Sequence, residues 1–177
     1  MSRTSPWFTT GAALPRGGEL SVEAWLLTAS PHPGIGRWEW ESGDVTFLRC
    51  GGLFSAVRMS RKLVHAAAGT SIPGEVDWFL STALDGGPVF ASRRLGRYYA
   101  LVAADAPNYW TGPGAHCVAA DTALAVPPVW QTDYDCEESY WPVPPRGVGA
   151  FCLLSLVARL TAHGLAQAAS VTTRAGG

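Results

Sequence analysis

Two groups of residues in this 177-residue chain have the types and spacing to do chemistry. Arg93, Arg94 and Arg97 lie close together, interrupted by Leu95–Gly96 and followed by Tyr98–Tyr99. Arginines beside aromatic rings hold phosphates and stack on bases. Arg58, Arg61 and Lys62 form a second basic group, and the two groups would make one basic patch if the segments carrying them shared a sheet. A hairpin tip kept soluble by arginine, with Tyr98 or Tyr99 turned into the core, accounts for the same residues. The other group is the acidic run at residues 132–138, where Asp133 and Asp135 form a D-x-D with Glu137 and Glu138 behind them. Clustered carboxylate oxygens suit a hard cation such as Mg²⁺ or Mn²⁺. A solvated turn between Pro128 and Pro142 explains them equally, and no flanking strand is evident to hold the carboxylates in register. The histidines add little: His32 sits between prolines, His65 in an alanine-rich stretch, His163 beside Gly164, and His116 is free to pair with an acid. No G-x-S-x-G, H-E-x-x-H, P-loop or G-x-G-x-x-G is present.

The elements that must position these residues follow from periodicity and punctuation. A short helix is expected over Glu19–Thr28, broken by Ser30–Gly36. Asp44–Cys50 and Leu53–Met59 read as two strands joined by a tight turn at Gly51–Gly52. Ser60 caps a helix that Gly69 ends, and Glu75–Leu84 is a further helix before Gly86–Gly87. Pro88–Ser92 and Arg97–Ala103 form a strand pair around Leu95–Gly96. Ala115–Ala119 and Ala123–Val126 are shorter strands, Gln131–Pro145 an acidic loop, and Gly149–Ala168 the longest helix. With residues 1–18 as a loosely held arm and 171–177 as a tail, this predicts one α+β domain over residues 19–170.

Composition narrows the function classes. Hydrophobic residues are 47% and charged residues 15% of the chain, enough apolar surface for a core and too little charge for intrinsic disorder. The net charge of −1 excludes a histone-like, strongly basic nucleic-acid binder. No apolar run is long enough to span a bilayer, so no membrane partner is expected. No secretory leader is visible after Met1, which makes a cytoplasmic protein the expectation. Cys50, Cys117, Cys136 and Cys152 show no zinc-knuckle spacing and read as free thiols, with Cys50 and Cys152 in apolar surroundings. Twelve of the thirteen basic residues are Arg, the bias of a GC-rich genome. Eight tryptophans are many for this length. Trp38, Trp40, Trp110, Trp130 and Trp141 fall in loop-like segments, which leaves a protein partner open as a third class.

Three segments in order, Cys50–Met59, Gly86–Val102 and Ala123–Pro128, carry a resemblance. Their CGGLFSAVRM, GGPVFASRRLGRYYALV and ALAVPP resemble short actinobacterial proteins of the bifunctional DNA primase/polymerase (prim-pol) family, over residues 44–160. That resemblance implies an RRM-like primase-core fold, a mixed sheet with packed helices and a C-terminal helix. In catalytic members an early strand supplies a D-x-D for two metal ions, which clamp the attacking and leaving oxygens, and a later strand supplies a phosphate-holding His. Here the first position reads Ser55-Ala-Val-Arg-Met-Ser60 and the second Gly96-Arg97-Tyr98. The resemblance therefore implies a domain without catalytic residues or cofactor that binds DNA, RNA or nucleotide through Arg58, Arg93, Arg94, Arg97 and Tyr98. An enzyme using Mg²⁺ or Mn²⁺ on Asp133, Asp135 and Glu137 is the alternative.

Overall fold

Tyr98-Tyr-Ala-Leu-Val102 is apolar at every position, the pattern of a strand covered on both faces. It becomes the centre of the fold. The computed structural model describes residues 21–136 and 138–175; the expected arm and Glu137 lie outside them. The elements in order are α1 (Val22–Leu27), α2 (Pro33–Glu41), β1 (Thr46–Arg49), β2 (Phe54–Ser60), α3 (Arg61–Ala68), α4 (Pro73–Ala83), β3 (Val89–Ser92), β4 (Arg97–Ala103), a 3₁₀ turn (Ala106–Asn108), β5 (His116–Cys117), β6 (Ala123–Val126), β7 (Ser139–Val143) and α5 (Leu154–Ala175). The domain is α+β.

The main sheet runs β5-β2-β4-β3-β7, and a two-stranded ribbon pairs β1 with β6. Every pairing is antiparallel, which corrects the expected mixed sheet. Two helices lead from β2 to β3, and β4 returns between them, the order of a split β-α-β sheet of the RRM-like kind. Only a 3₁₀ turn stands between β4 and β5, and β7 is added at the far edge.

Alternation along β2 and β4 sends one set of side chains to each face. Val57, Met59, Tyr98, Ala100 and Val102 pack with Leu63 and Val64 of α3, Val76 and Leu80 of α4, and Val157 and Leu160 of α5. Phe54, Ala56, Tyr99 and Leu101 face the other way, against Trp25, Leu26, Leu27, Trp40, Leu48 and Val126. The outcome is three layers. Helices α3–α5 lie on one face of the sheet; α1, α2 and the β1–β6 ribbon lie on the other.

Four departures from the expected elements have physical causes. Gly51–Gly52 does not close a hairpin. β1 pairs with β6, and Gly51, at φ +99°, lets the chain pass where a Cβ would stand 2.6 Å from the Ala120 Cβ. The supposed break at Ser30–Gly36 instead starts α2, because Pro33 occupies its first turn, where a missing N–H costs nothing. Gln131–Pro145 contains β7, whose Pro142 is tolerated at a sheet edge beside a register shift. The last helix begins at Leu154 and continues to Ala175, past the start of the expected tail. Elsewhere local signals hold: Ser60 accepts the Leu63 N–H at 3.2 Å, and Gly69 ends α3 at φ 69°. Among the described residues no helix is long and apolar enough to cross a membrane.

Helices α3 and α5 cross at Gly164, where a Cβ would lie 2.6 Å from the Leu63 carbonyl oxygen. Ala raises helix propensity by roughly 1 kcal/mol over Gly, but overpacking a rigid backbone contact costs about 1–3 kcal/mol. Gly164→Ala is therefore expected to lower stability by about 1–2 kcal/mol in urea unfolding. A stabilised variant would mean that the two helices do not approach this closely.

Candidate anion-binding cleft

The β3–β4 hairpin is held at its tip by guanidinium groups bonded to backbone carbonyls. Arg61, the first residue of α3, follows directly from β2, and β2 pairs Ser60 with Arg97 in register. This adjacency lets Arg61 Nη2 donate to the Arg93 carbonyl at 2.8 Å, while its own N–H donates to the Gly96 carbonyl at 2.9 Å. Gly96 sits at φ +61°, where a Cβ would meet the Arg61 guanidinium at 3.1 Å. Arg93 in turn donates from Nη1 to the Tyr134 carbonyl at 2.7 Å and the Cys136 carbonyl at 3.3 Å. Its backbone N–H donates to the Glu138 carbonyl at 2.9 Å. The acidic loop is thus fastened to the hairpin.

Between hairpin, loop and helices lies a cleft of about 190 Å³. Arg61, Arg93 and Arg97 supply its cations, Tyr98 and Tyr140 its floor, and His65 and Tyr134 part of its walls. Arg97 makes no side-chain hydrogen bond or ion pair among the described residues and keeps its donors available. Among the described residues no carboxylate lines the cleft.

The floor is a hydrogen-bonded group drawn from four elements. The Tyr140 hydroxyl of β7 donates to Asp77 Oδ1 of α4 at 3.0 Å. The Tyr98 hydroxyl of β4 lies 3.5 Å from His65 Nε2 of α3. Burial raises the Asp77 carboxyl above its ordinary range, and the bond from Tyr140 lowers it in part. Burial and then Asp77 raise both tyrosines, so both stay protonated at neutral pH; Tyr140 donates to Asp77, and the Tyr98 hydroxyl is the one left to donate into the cleft. Burial and then Arg61 lower His65, which keeps it neutral there. The chemistry available is anion binding by guanidinium and hydroxyl donors.

The expected site residues are only partly brought together. Arg93, Arg97 and Tyr98 share the cleft. Arg94 is exposed at the turn outside it. Arg58 stands opposite Tyr99 and His116 in register, on the face away from Tyr98, so the single surface expected of Arg58, Arg97 and Tyr98 is split between two faces. Asp133 and Asp135 are exposed, and Asp133 Oδ1 accepts the Asp135 N–H at 2.9 Å, a turn bond within the loop. Among the described residues no group of three or more His, Cys, Asp or Glu is placed to hold a metal ion. Glu137 is outside them.

Asp77, Tyr140, His65 and Arg61 carry no shared spacing in the chain. Only Arg61 was signalled, as a member of the basic group Arg58, Arg61 and Lys62. Trp40 and Trp141, expected in loops, are fully buried and donate to the Val126 and Pro127 carbonyls. Trp38 and Trp130 are exposed, as is Trp78. All four cysteines are free thiols, and burial pushes Cys50 and Cys152 up to about 12.

Compared with family models, curated proteins and solved structures, the chain matches none. The cleft itself has to carry the functional reading.

A raised folded-state pKa means that the Asp77 carboxyl favours the folded state below its unfolded value, 3.8, and loses that contribution as pH rises through the higher folded value. Asp77→Asn keeps an acceptor for Tyr140 and removes the ionisation. The variant is expected to be more stable than wild type in urea at pH 7, with the gain vanishing near pH 3. A variant less stable at both pH values would mean that the carboxylate is held by more than Tyr140.

Proposed function

We propose that this domain binds a phosphate-bearing ligand, a nucleotide or single-stranded nucleic acid, in the arginine-lined cleft without chemically converting it. The observation that carries the reading is the convergence of Arg61, Arg93 and Arg97 over the Tyr98 hydroxyl, in a cleft with no carboxylate among its described lining residues. The ordered resemblance to prim-pol proteins supports nucleic acid or nucleotide as the ligand class. Non-catalytic binding is supported by β2, which carries no acid between Ser55 and Ser60, and by Tyr98 standing where the resemblance expects a neighbouring His. Asp77, the carboxylate behind the cleft, is engaged by Tyr140. Its role would be accessory or regulatory.

Arg97 is the arginine on which the reading leans: it lines the cleft and makes no side-chain hydrogen bond among the described residues, whereas Arg94 is exposed outside it. Binding of a labelled oligothymidylate is expected to fall with salt, with a slope of about 0.7 per phosphate neutralised. Arg97→Ala should weaken it by roughly an order of magnitude and flatten that slope by about one contact. Arg94→Ala should leave it nearly unchanged. Binding that is indifferent to Arg97→Ala overturns the assignment.

The acidic loop discriminates this reading from the metal-dependent enzyme. Asp133 and Asp135 flank Tyr134 in sequence without lining the cleft, and their negative charge is unfavourable to an anion bound nearby. Asp133→Asn with Asp135→Asn preserves the turn acceptor and is expected to hold or tighten strand binding. Mn²⁺- or Mg²⁺-dependent nucleotide incorporation that this double variant abolishes would install the enzyme reading instead.

A second reading, a protein-interaction module, draws on Trp38 and Trp78, which are 66% and 71% exposed. Tryptophan is enriched among the residues that carry binding energy at protein interfaces. A light-scattering mass that rises with concentration, and stops doing so in Trp78→Ala, would favour it.

A further inference from the structure

Tyr134 is the aromatic residue between Asp133 and Asp135 that lines the cleft, and its backbone is held in place although the residue is 43% exposed. Its carbonyl accepts from Arg93 Nη1 at 2.7 Å, and the Cys136 carbonyl accepts from the same atom at 3.3 Å. Two bonds from one guanidinium hold both sides of residue 135, so the ring stands on a fastened backbone rather than a free loop. Arg93 spends Nη1 on this task, which makes it a positioning residue and leaves Arg61 and Arg97 nearest to being free for an anion.

The size of the cleft decides what Tyr134 can meet. At about 190 Å³ it is smaller than the roughly 300–1,000 Å³ of pockets that enclose a whole small molecule. Arg61, Arg97 and the Tyr98 hydroxyl account for a charged group inside. The remainder of a larger ligand has to lie at the rim, and a flat apolar remainder is what an exposed, anchored ring receives.

We propose that Tyr134 is a stacking platform for the base of a nucleotide whose phosphate sits among Arg61, Arg97 and Tyr98, so that the cleft selects base-bearing phosphates over base-free ones. This rests on the phosphate-binding reading of the same cleft and names the part of the ligand that confers preference. Base–aromatic stacking lost on alanine substitution corresponds to a change in affinity of roughly 5- to 150-fold.

Titration calorimetry with adenosine 5′-monophosphate and ribose 5-phosphate tests it, since the two share a phosphate and a sugar and differ by the base. Wild type is expected to bind the nucleotide at least about tenfold more tightly. Tyr134→Ala should erase that preference while leaving ribose 5-phosphate affinity in place, and Tyr134→Phe should keep it. Equal binding of the two ligands by wild type, with both lost in Arg97→Ala, overturns the platform and leaves the phosphate cleft standing. A preference that survives in Tyr134→Ala also overturns it. If neither ligand binds at all, the cleft reading falls and the platform falls with it. A third arm with a short oligoadenylate separates sources: tighter binding than the mononucleotide, still sensitive to Tyr134→Ala, assigns the base to a strand.

Discussion

Burial of the five-stranded sheet on both faces is the constraint that the rest of the molecule satisfies. Phe90 stacks on Tyr99 at 4.7 Å and meets Trp141 edge-on at 5.4 Å, all on one face. Val57, Met59, Ala100 and Val102 are fully buried on the other. Leaving either side in water would expose a large contiguous apolar area, so two covering layers are required. One is built from α3, α4 and α5. The other is assembled from α1, α2 and the β1–β6 ribbon, and the supposed hairpin at Gly51 gives way because its first strand is needed there. With both faces covered, the cleft opens at the end of the sheet where β3 and β4 turn.

At that end the arginines divide between structure and chemistry. The carbonyls of Arg93, Tyr134 and Cys136 lie in exposed hydrogen bonds at this end of the sheet. Arg61 and Arg93 supply donors to them. Because a guanidinium has five N–H groups in a fixed fork, satisfying one or two carbonyls leaves the charge and several donors in place. The basic patch of a nearly neutral chain is therefore rigid without being neutralised, and no carboxylate within the described residues forms an ion pair with Arg61, Arg93 or Arg97.

Local chemistry was the legible part of the sequence. Alternating apolar residues around Leu95–Gly96 marked β3 and β4 within a residue of their ends, and Ser60 with Gly69 marked the bounds of α3. Long-range pairing was not legible. β1 prefers β6 because of the layer it must form, which no local pattern in DVTFLRC encodes. β7 was hidden by Pro142 and its acidic neighbours, which suit an edge strand only once the register shift against β3 is known. The cleft was half legible: Arg93, Arg97 and Tyr98 announce themselves as a cluster, while Asp77, Tyr140 and His65 arrive from α4, β7 and α3 and meet only in the folded chain. On the alternative account of the cluster, one of Tyr98 and Tyr99 turns into the core. Both do, on opposite faces, and that separation is what removes Arg58 from the site.

The polar floor of the cleft argues for function more strongly than its cations do. Surface arginines at a hairpin tip need no ligand to explain them, since solubility suffices. A half-buried carboxyl and two largely buried phenols are different, because each loses hydration on folding and regains only part of it from a neighbour. Phenylalanine at 98 and 140 with an apolar residue at 77 would fill the same layer between β7 and α4 without that cost. The arrangement instead keeps the Tyr98 hydroxyl protonated at the cleft with Arg61, Arg93 and Arg97, while Tyr140 holds Asp77 behind it. Perturbed titratable groups gathered in a cleft are the expected mark of a binding site. In this fold they occur at the end of the sheet that its two covering layers leave open.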